Sequence, residues 1–91
     1  MIECKLTGRV TCLVEKVPEV TGLMCARYYV KTDPEAGRGP EYVKVIARQG
    51  QAYWALENLK PGMRVRLKGK CRAMLSTLVV EQTSGRIVKD G

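Results

Sequence analysis

The stretch Arg64-Val65-Arg66-Leu67-Lys68-Gly69-Lys70-Cys71-Arg72 puts a cation at every even position and an apolar or small residue at every odd one. Period 2 is the pattern of a strand with one face in a core and the other in water. Wound as a helix, at about 100° per residue, the same cations would scatter around the axis and no apolar face would form. As a strand, the stretch turns Val65, Leu67, Gly69 and Cys71 inward. Arg64, Arg66, Lys68, Lys70 and Arg72 then face outward in one row. At roughly 3.3 Å per residue that row is about 27 Å long. No acidic residue lies within it, and a row of like charges repels itself. Solvated faces and edge strands also use Lys and Arg, but a polyanion partner gives the row a reason to exist.

The chain has 91 residues, enough for one domain and too few for two. Its net charge of +7 points to an anionic partner such as nucleic acid or an acidic surface. No apolar run approaches the length of a membrane span. The N-terminus, Met1-Ile2-Glu3-Cys4-Lys5, lacks the apolar middle of a signal peptide. The expected location is therefore cytoplasmic, beside the nucleoid if the polyanion is DNA.

The residue types exclude several chemistries. Cys4, Cys12, Cys25 and Cys71 form no C-x-x-C pair, and histidine is absent. A zinc site needs closely spaced soft ligands, so no metal is expected, and no cofactor. Cys4 and Cys71 fall on inward phases, where a thiol serves as a small apolar filler. A disulfide scaffold does not suit a chain without export signals. General bases and activated nucleophiles are missing, and so are the phosphate-cradling glycine motifs. The expectation is a protein that is not an enzyme.

The remaining segments share the strand period. In residues 2–14, Ile2, Cys4, Leu6, Gly8 and Val10 hold one phase, with Gly8 where a barrel strand bends sharply. Residues 15–19 read as a proline-broken connection. In residues 22–32, Met24, Ala26, Tyr28 and Val30 face one way, and Cys25, Arg27, Tyr29 and Lys31 the other. Asp33 to Pro40 reads as a hairpin loop from its Pro and Gly content. In residues 41–48, Val43, Val45 and Ala47 point in, and Tyr42, Lys44, Ile46 and Arg48 point out. If these two strands pair antiparallel, Arg27, Tyr29, Lys31, Tyr42, Lys44 and Arg48 make one patch. Cations and aromatic rings on one face are what a single-strand binding platform uses, although tyrosine also favours strands for their own sake.

Residues 51–59 are the one helical candidate, with Ala52, Ala55, Leu56 and Leu59 on an apolar face. Pro61-Gly62 stops the helix. Trp54 falls about 160° or more from that face, which leaves it for a loop, a subunit or a partner. The charged strand follows, then a short turn at 73–77 and a fifth strand at 78–82. The domain is expected over residues 1–85, with 86–91 as a short C-terminal extension.

Strand, strand, strand, short helix, strand, strand is the order of an all-β, five-stranded oligonucleotide/oligosaccharide-binding (OB) barrel, with its helix between the third and fourth strands. Particular residues add to this. Thr7-Gly8-Arg9-Val10, Thr21-Gly22 and Tyr42-Val43-Lys44-Val45-Ile46-Ala47-Arg48 resemble the first three strands of the bacterial single-stranded DNA-binding protein (SSB) family. Gln51-Ala52 and Leu56-Glu57-Asn58-Leu59-Lys60-Pro61-Gly62 resemble its helix and following turn, and Val65 to Lys70 and Leu78 to Glu81 its last two strands. The resemblance covers nearly the whole chain in order. Three features depart from it. Arg48 stands where the family has phenylalanine, the hairpin between the last two strands is short, and no acidic tail follows. The resemblance thus implies a minimal member, or a relative of primosomal protein n.

The expected function is non-catalytic, largely sequence-independent binding of single-stranded DNA in replication, recombination or repair. Arg9, Arg27, Lys31, Lys44, Arg48, Arg64, Arg66, Lys68, Lys70 and Arg72 would neutralise phosphates, while Tyr29 and Tyr42 would stack on bases. The resemblance implies a homodimer or homotetramer assembled through the first strand, whose residues 2–6 offer a free edge. Two other readings stay open. One is a primosome-like adaptor for a helicase or another replication protein, with DNA secondary. The other is an RNA-binding OB domain, which the absence of phenylalanine disfavours.

Overall fold

The computed structural model describes residues 2–18, 22–34, 41–74 and 77–89. The elements are β1 (Ile2–Val10), β2 (Glu15–Val17), β3 (Cys25–Thr32), β4 (Tyr42–Arg48), α1 (Gly50–Asn58), β5 (Arg64–Met74) and β6 (Thr77–Ile87). β1 pairs with β5 along Ile2 to Arg9 and with β3 at Gly8 to Val10. That double pairing closes the order β1-β5-β6-β4-β3 into a five-stranded barrel. Every pairing is antiparallel except β4 with β6, which run parallel because the chain passes through α1 and β5 between them. The all-β OB barrel with its helix between the third and fourth barrel strands is the observed architecture.

Closure depends on Gly8 and Gly69, where backbones approach too closely for a side chain. A Cβ on Gly8 would lie 2.3 Å from the Lys31 carbonyl oxygen, and one on Gly69 would lie 2.3 Å from that of Glu81. Gly8 sits where β1 passes from β5 to β3. Gly69 sits at a register shift between β5 and β6.

The inward phases are as the alternation predicts, except that Ile2 is exposed at the strand's end and Cys25, on the outward phase, is buried where β2 covers it. Val10, Tyr28, Val30, Val43, Val45, Val65, Leu67 and Val80 are fully buried in one cluster. Each such aliphatic side chain contributes about 1.5–3 kcal/mol on leaving water. Cys4 and Cys71 pack against the edge of this cluster. Inside the barrel the Tyr28 hydroxyl bonds to Gln82, whose amide nitrogen donates to Gln51 Oε1 on the helix at 2.8 Å. The helix therefore stoppers the barrel by a polar chain as well as by Ala52, Ala55 and Leu59, which are buried.

Four expectations need correction. Residues 15–17 are not a bare connection: they form β2, which extends the sheet along Cys25 to Arg27 of β3. The first strand ends at Val10 and not at residue 14. Trp54 is not on an unpartnered side of the helix. It is half-buried and packs on the main core, because a helix filling a barrel mouth is walled on more than one side. The ring comes close to Gly85 of β6. Finally, the last strand continues to Ile87, with Arg86 opposite Arg66 and Ile87 opposite Val65. Residues 86 and 87 are thus part of the barrel wall instead of an extension. The tip of the expected 33–40 loop and the centre of the 73–77 turn lie outside the described residues.

Candidate nucleic-acid interface

The antiparallel register of β3 and β4 sets Tyr29 opposite Lys44 and Lys31 opposite Tyr42. Both pairs are on the outer face, so two rings and two ammonium groups alternate in a checkerboard. Tyr42 is 63% exposed, and the Lys31 ammonium stands 5.9 Å from its ring centre, at the outer limit of a cation–π contact. Tyr29 is half-buried. The row through Tyr29 continues sideways across Lys44 and Val79 to Arg72 on β5. The tyrosine face therefore runs into the charged strand without a break in the sheet.

Arg27 and Arg48 lie on the same outer face and are engaged within the protein. Arg27 Nη2 donates to Glu15 Oε2 at 2.7 Å, and this bond holds the guanidinium even more firmly protonated. Arg48 Nη1 is 3.5 Å from Glu81 Oε1. Glu81 also faces Arg72, at 3.7 Å, so one carboxylate stands between the two arginines at the seam of β4, β6 and β5.

The row on β5 is exposed as expected from Arg66 to Arg72, but it is not without acidic neighbours. Arg64 donates through Nε and Nη2 to Asp33 Oδ2. Glu81 approaches Arg72, and Glu3 of β1 lies opposite Lys70. Those acids come from elsewhere in the chain, Glu3 and Glu81 from other strands and Asp33 from just beyond β3, which a period-2 reading of one strand cannot see. Arg66 and Lys68 have no acid among their register partners, whereas Lys70 lies between Glu3 and Glu81. Arg9 joins the two faces: its register partners are Lys31 on β3 and Arg64 on β5, and its Nη1 donates to the Gly62 carbonyl at 3.0 Å.

The twelve residues singled out in the sequence thus ring the barrel. Arg27, Tyr29, Lys31, Tyr42, Lys44 and Arg48 form one face; Arg64, Arg66, Lys68, Lys70 and Arg72 form a second; Arg9 bridges them. Two outward cations beside the second face were not singled out, Lys5 opposite Lys68 and Arg86 opposite Arg66. Lys5 was legible from the alternation of the first strand. Arg86 was not, because the register shift near Gly69 displaces the phase of β6.

Comparison with solved structures gives the same architecture. A small single-stranded DNA-binding protein from Streptomyces coelicolor superposes with a TM-score of 0.85 over 96% of this chain and 92% of its own, at 14% identity. The OB barrel is shared. The N-terminal domain of PriB from Thermoanaerobacter tencongensis, a dimer, matches 97% of both chains at 21% identity and a TM-score of 0.74. The mitochondrial single-stranded DNA-binding protein Rim1 of S. cerevisiae matches 99% of this chain and 97% of its own at 14% identity and 0.82. No protein-family model matches the sequence, and no curated protein sequence matches it. No helix among the described residues is long and apolar enough to cross a membrane.

Proposed function

We propose that the protein binds single-stranded DNA without catalysis and with little regard to sequence. The observation that carries this is the β3–β4 checkerboard, Tyr29 beside Lys44 and Tyr42 beside Lys31. Exposed rings take the faces of unpaired bases, and adjacent ammonium groups take the phosphates between them. Any base offers a π-face, so such a surface selects for single-strandedness and not for sequence. The named functions of the similar structures, Rim1 and the Streptomyces protein, support the same reading.

The reading brings its partners with it. Unpaired DNA comes first, then a helicase or other replication protein meeting the protein on that strand, in the cytoplasm at the nucleoid. A second copy would add at β1, where Ile2 is 74% exposed. Residues 2–6 of that strand pair with β5 on one side only. The dimeric PriB domain supports a homodimer.

Titration of labelled oligo-dT at several salt concentrations tests the proposal. Three to five phosphate contacts predict a slope of log K against log[salt] of roughly −2 to −3.5. Absence of salt-sensitive binding at micromolar protein would end the reading. Oligo-U binding more tightly than oligo-dT would move it to RNA.

A further inference from the structure

The outer face of β1, β5 and β6 holds a cleft of about 790 Å³ with a charge pattern the tyrosine face does not explain. Lys5 lies directly opposite Lys68, and Arg66 directly opposite Arg86. Like charges facing across a strand pair are destabilising. The one acid lining the cleft, Asp33, is bonded to Arg64 at its end. Hydroxyl groups stand in the same rows: Thr7 opposite Arg66, and Ser84 opposite Lys68. No aromatic ring lines the cleft.

We propose that this cleft is a second binding groove, which holds the sugar–phosphate backbone of the same unpaired strand after it leaves the tyrosine face. The proposal rests on the single-strand reading above. Cations and hydroxyl donors without rings suit phosphate oxygens and offer nothing to bases. A second copy stacked on this face would set its cation rows against one another, so the occupant is anionic. Continuity selects the strand already bound. Arg9 is the register partner of both Lys31 and Arg64, which sets three cations side by side where the two faces meet, Arg64 among them held by Asp33. At the opposite seam the Glu81 carboxylate stands between Arg48 and Arg72, and the residue joining Lys44 to Arg72 is the buried Val79 instead of an exposed cation, so the crossing is at Arg9.

The test compares oligo-dT of about 8 nucleotides with one of about 24, longer than the roughly 4–16 that one OB fold usually occupies. The wild type should bind the longer strand more tightly and with a steeper salt slope. The double variant Lys5→Gln/Arg86→Gln removes one member of each like-charged pair. It should bind the short strand as the wild type does, lose about 1.4 of the slope on the long strand, and weaken there by roughly tenfold. The charge-preserving Lys5→Arg/Arg86→Lys should keep the wild-type difference. Equal losses at both lengths, or none at either, would overturn the groove while leaving the tyrosine face intact. Wild-type protein that binds neither length with salt sensitivity would remove the parent reading itself. Polyglutamate that binds the wild type as tightly as the long strand does, and is lost in the double glutamine variant, would overturn the choice of a nucleic-acid backbone.

Discussion

The Tyr28 hydroxyl donates a 2.5 Å hydrogen bond to Gln82 Oε1 in the barrel interior. Tyr28 is fully buried and Gln82 nearly so, and the Gln82 amide passes the connection on to Gln51 of the helix. A buried acceptor left without its donor costs about 1–3 kcal/mol. Tyr28→Phe should therefore lower stability by that amount, read as a fall in the thermal midpoint of about 4–8 °C per kcal/mol for a domain this size. An unchanged midpoint would show that the chain of side chains does not tie helix to barrel. Because Tyr28 faces inward, its loss should leave the affinity for oligo-dT unchanged wherever the protein is folded.

Alkaline pH should unfold the barrel earlier than its surface charge alone would suggest. Burial, then the hydrogen bond and charge of Cys71, push the Cys4 thiol from 9.0 up to about 11. Burial raises Tyr28 from its ordinary 10.0 as well. In both cases the unfolded chain releases its proton first, so stability is intact below about pH 9 and is lost as pH rises toward 11. Denaturant midpoints between pH 7 and 11 should be flat and then fall. Cys4→Ser should flatten the earlier part of the fall.

Closure of the barrel should be intolerant of a single methyl group. Gly8→Ala would push a Cβ into the Lys31 carbonyl, and Gly69→Ala into that of Glu81. Neither obstacle is a side chain that can swing away. Each substitution should cost more than about 3 kcal/mol, enough to remove most of the soluble folded protein. Urea denaturation of either variant checks this.

One substitution should stabilise. Gln49, the N-cap of α1, has φ 53° and ψ −124°, a region natural to glycine and strained for a side chain. Its backbone N–H donates to the Met24 carbonyl at 2.8 Å, which fixes the geometry. Gln49→Gly should gain about 1 kcal/mol once the extra freedom of glycine in the unfolded chain is subtracted. A lower thermal midpoint would show that the Gln49 side chain does more for the helix than its backbone strain costs.

What could be read from the sequence was whatever lies within one strand. Alternation is local, so the inward residues and outward cations of β3, β4 and β5 were legible before any pairing was known. What lies between strands was not. Glu81 beside Arg48 and Arg72, Asp33 on Arg64, and Glu15 on Arg27 depend on register. Trp54 was misread because helical periodicity assumes one buried face, whereas a helix stoppering a barrel is packed on several. The last strand was cut short because the shift at Gly69 breaks the alternation of β6 just where the sequence stops looking like a strand.

The central claim is that the outer tyrosines of the sheet carry the bases. It is tested most directly by the affinity for short oligo-dT of Tyr42→Ala, set against Tyr53→Ala. Tyr53 is a comparable ring, 53% exposed, but on the helix. The account predicts a loss of about 1–3 kcal/mol for Tyr42→Ala, or about 5- to 150-fold, and no change beyond about twofold for Tyr53→Ala. Equal losses, or a loss confined to Tyr53→Ala, would contradict it and move the binding surface to the helix.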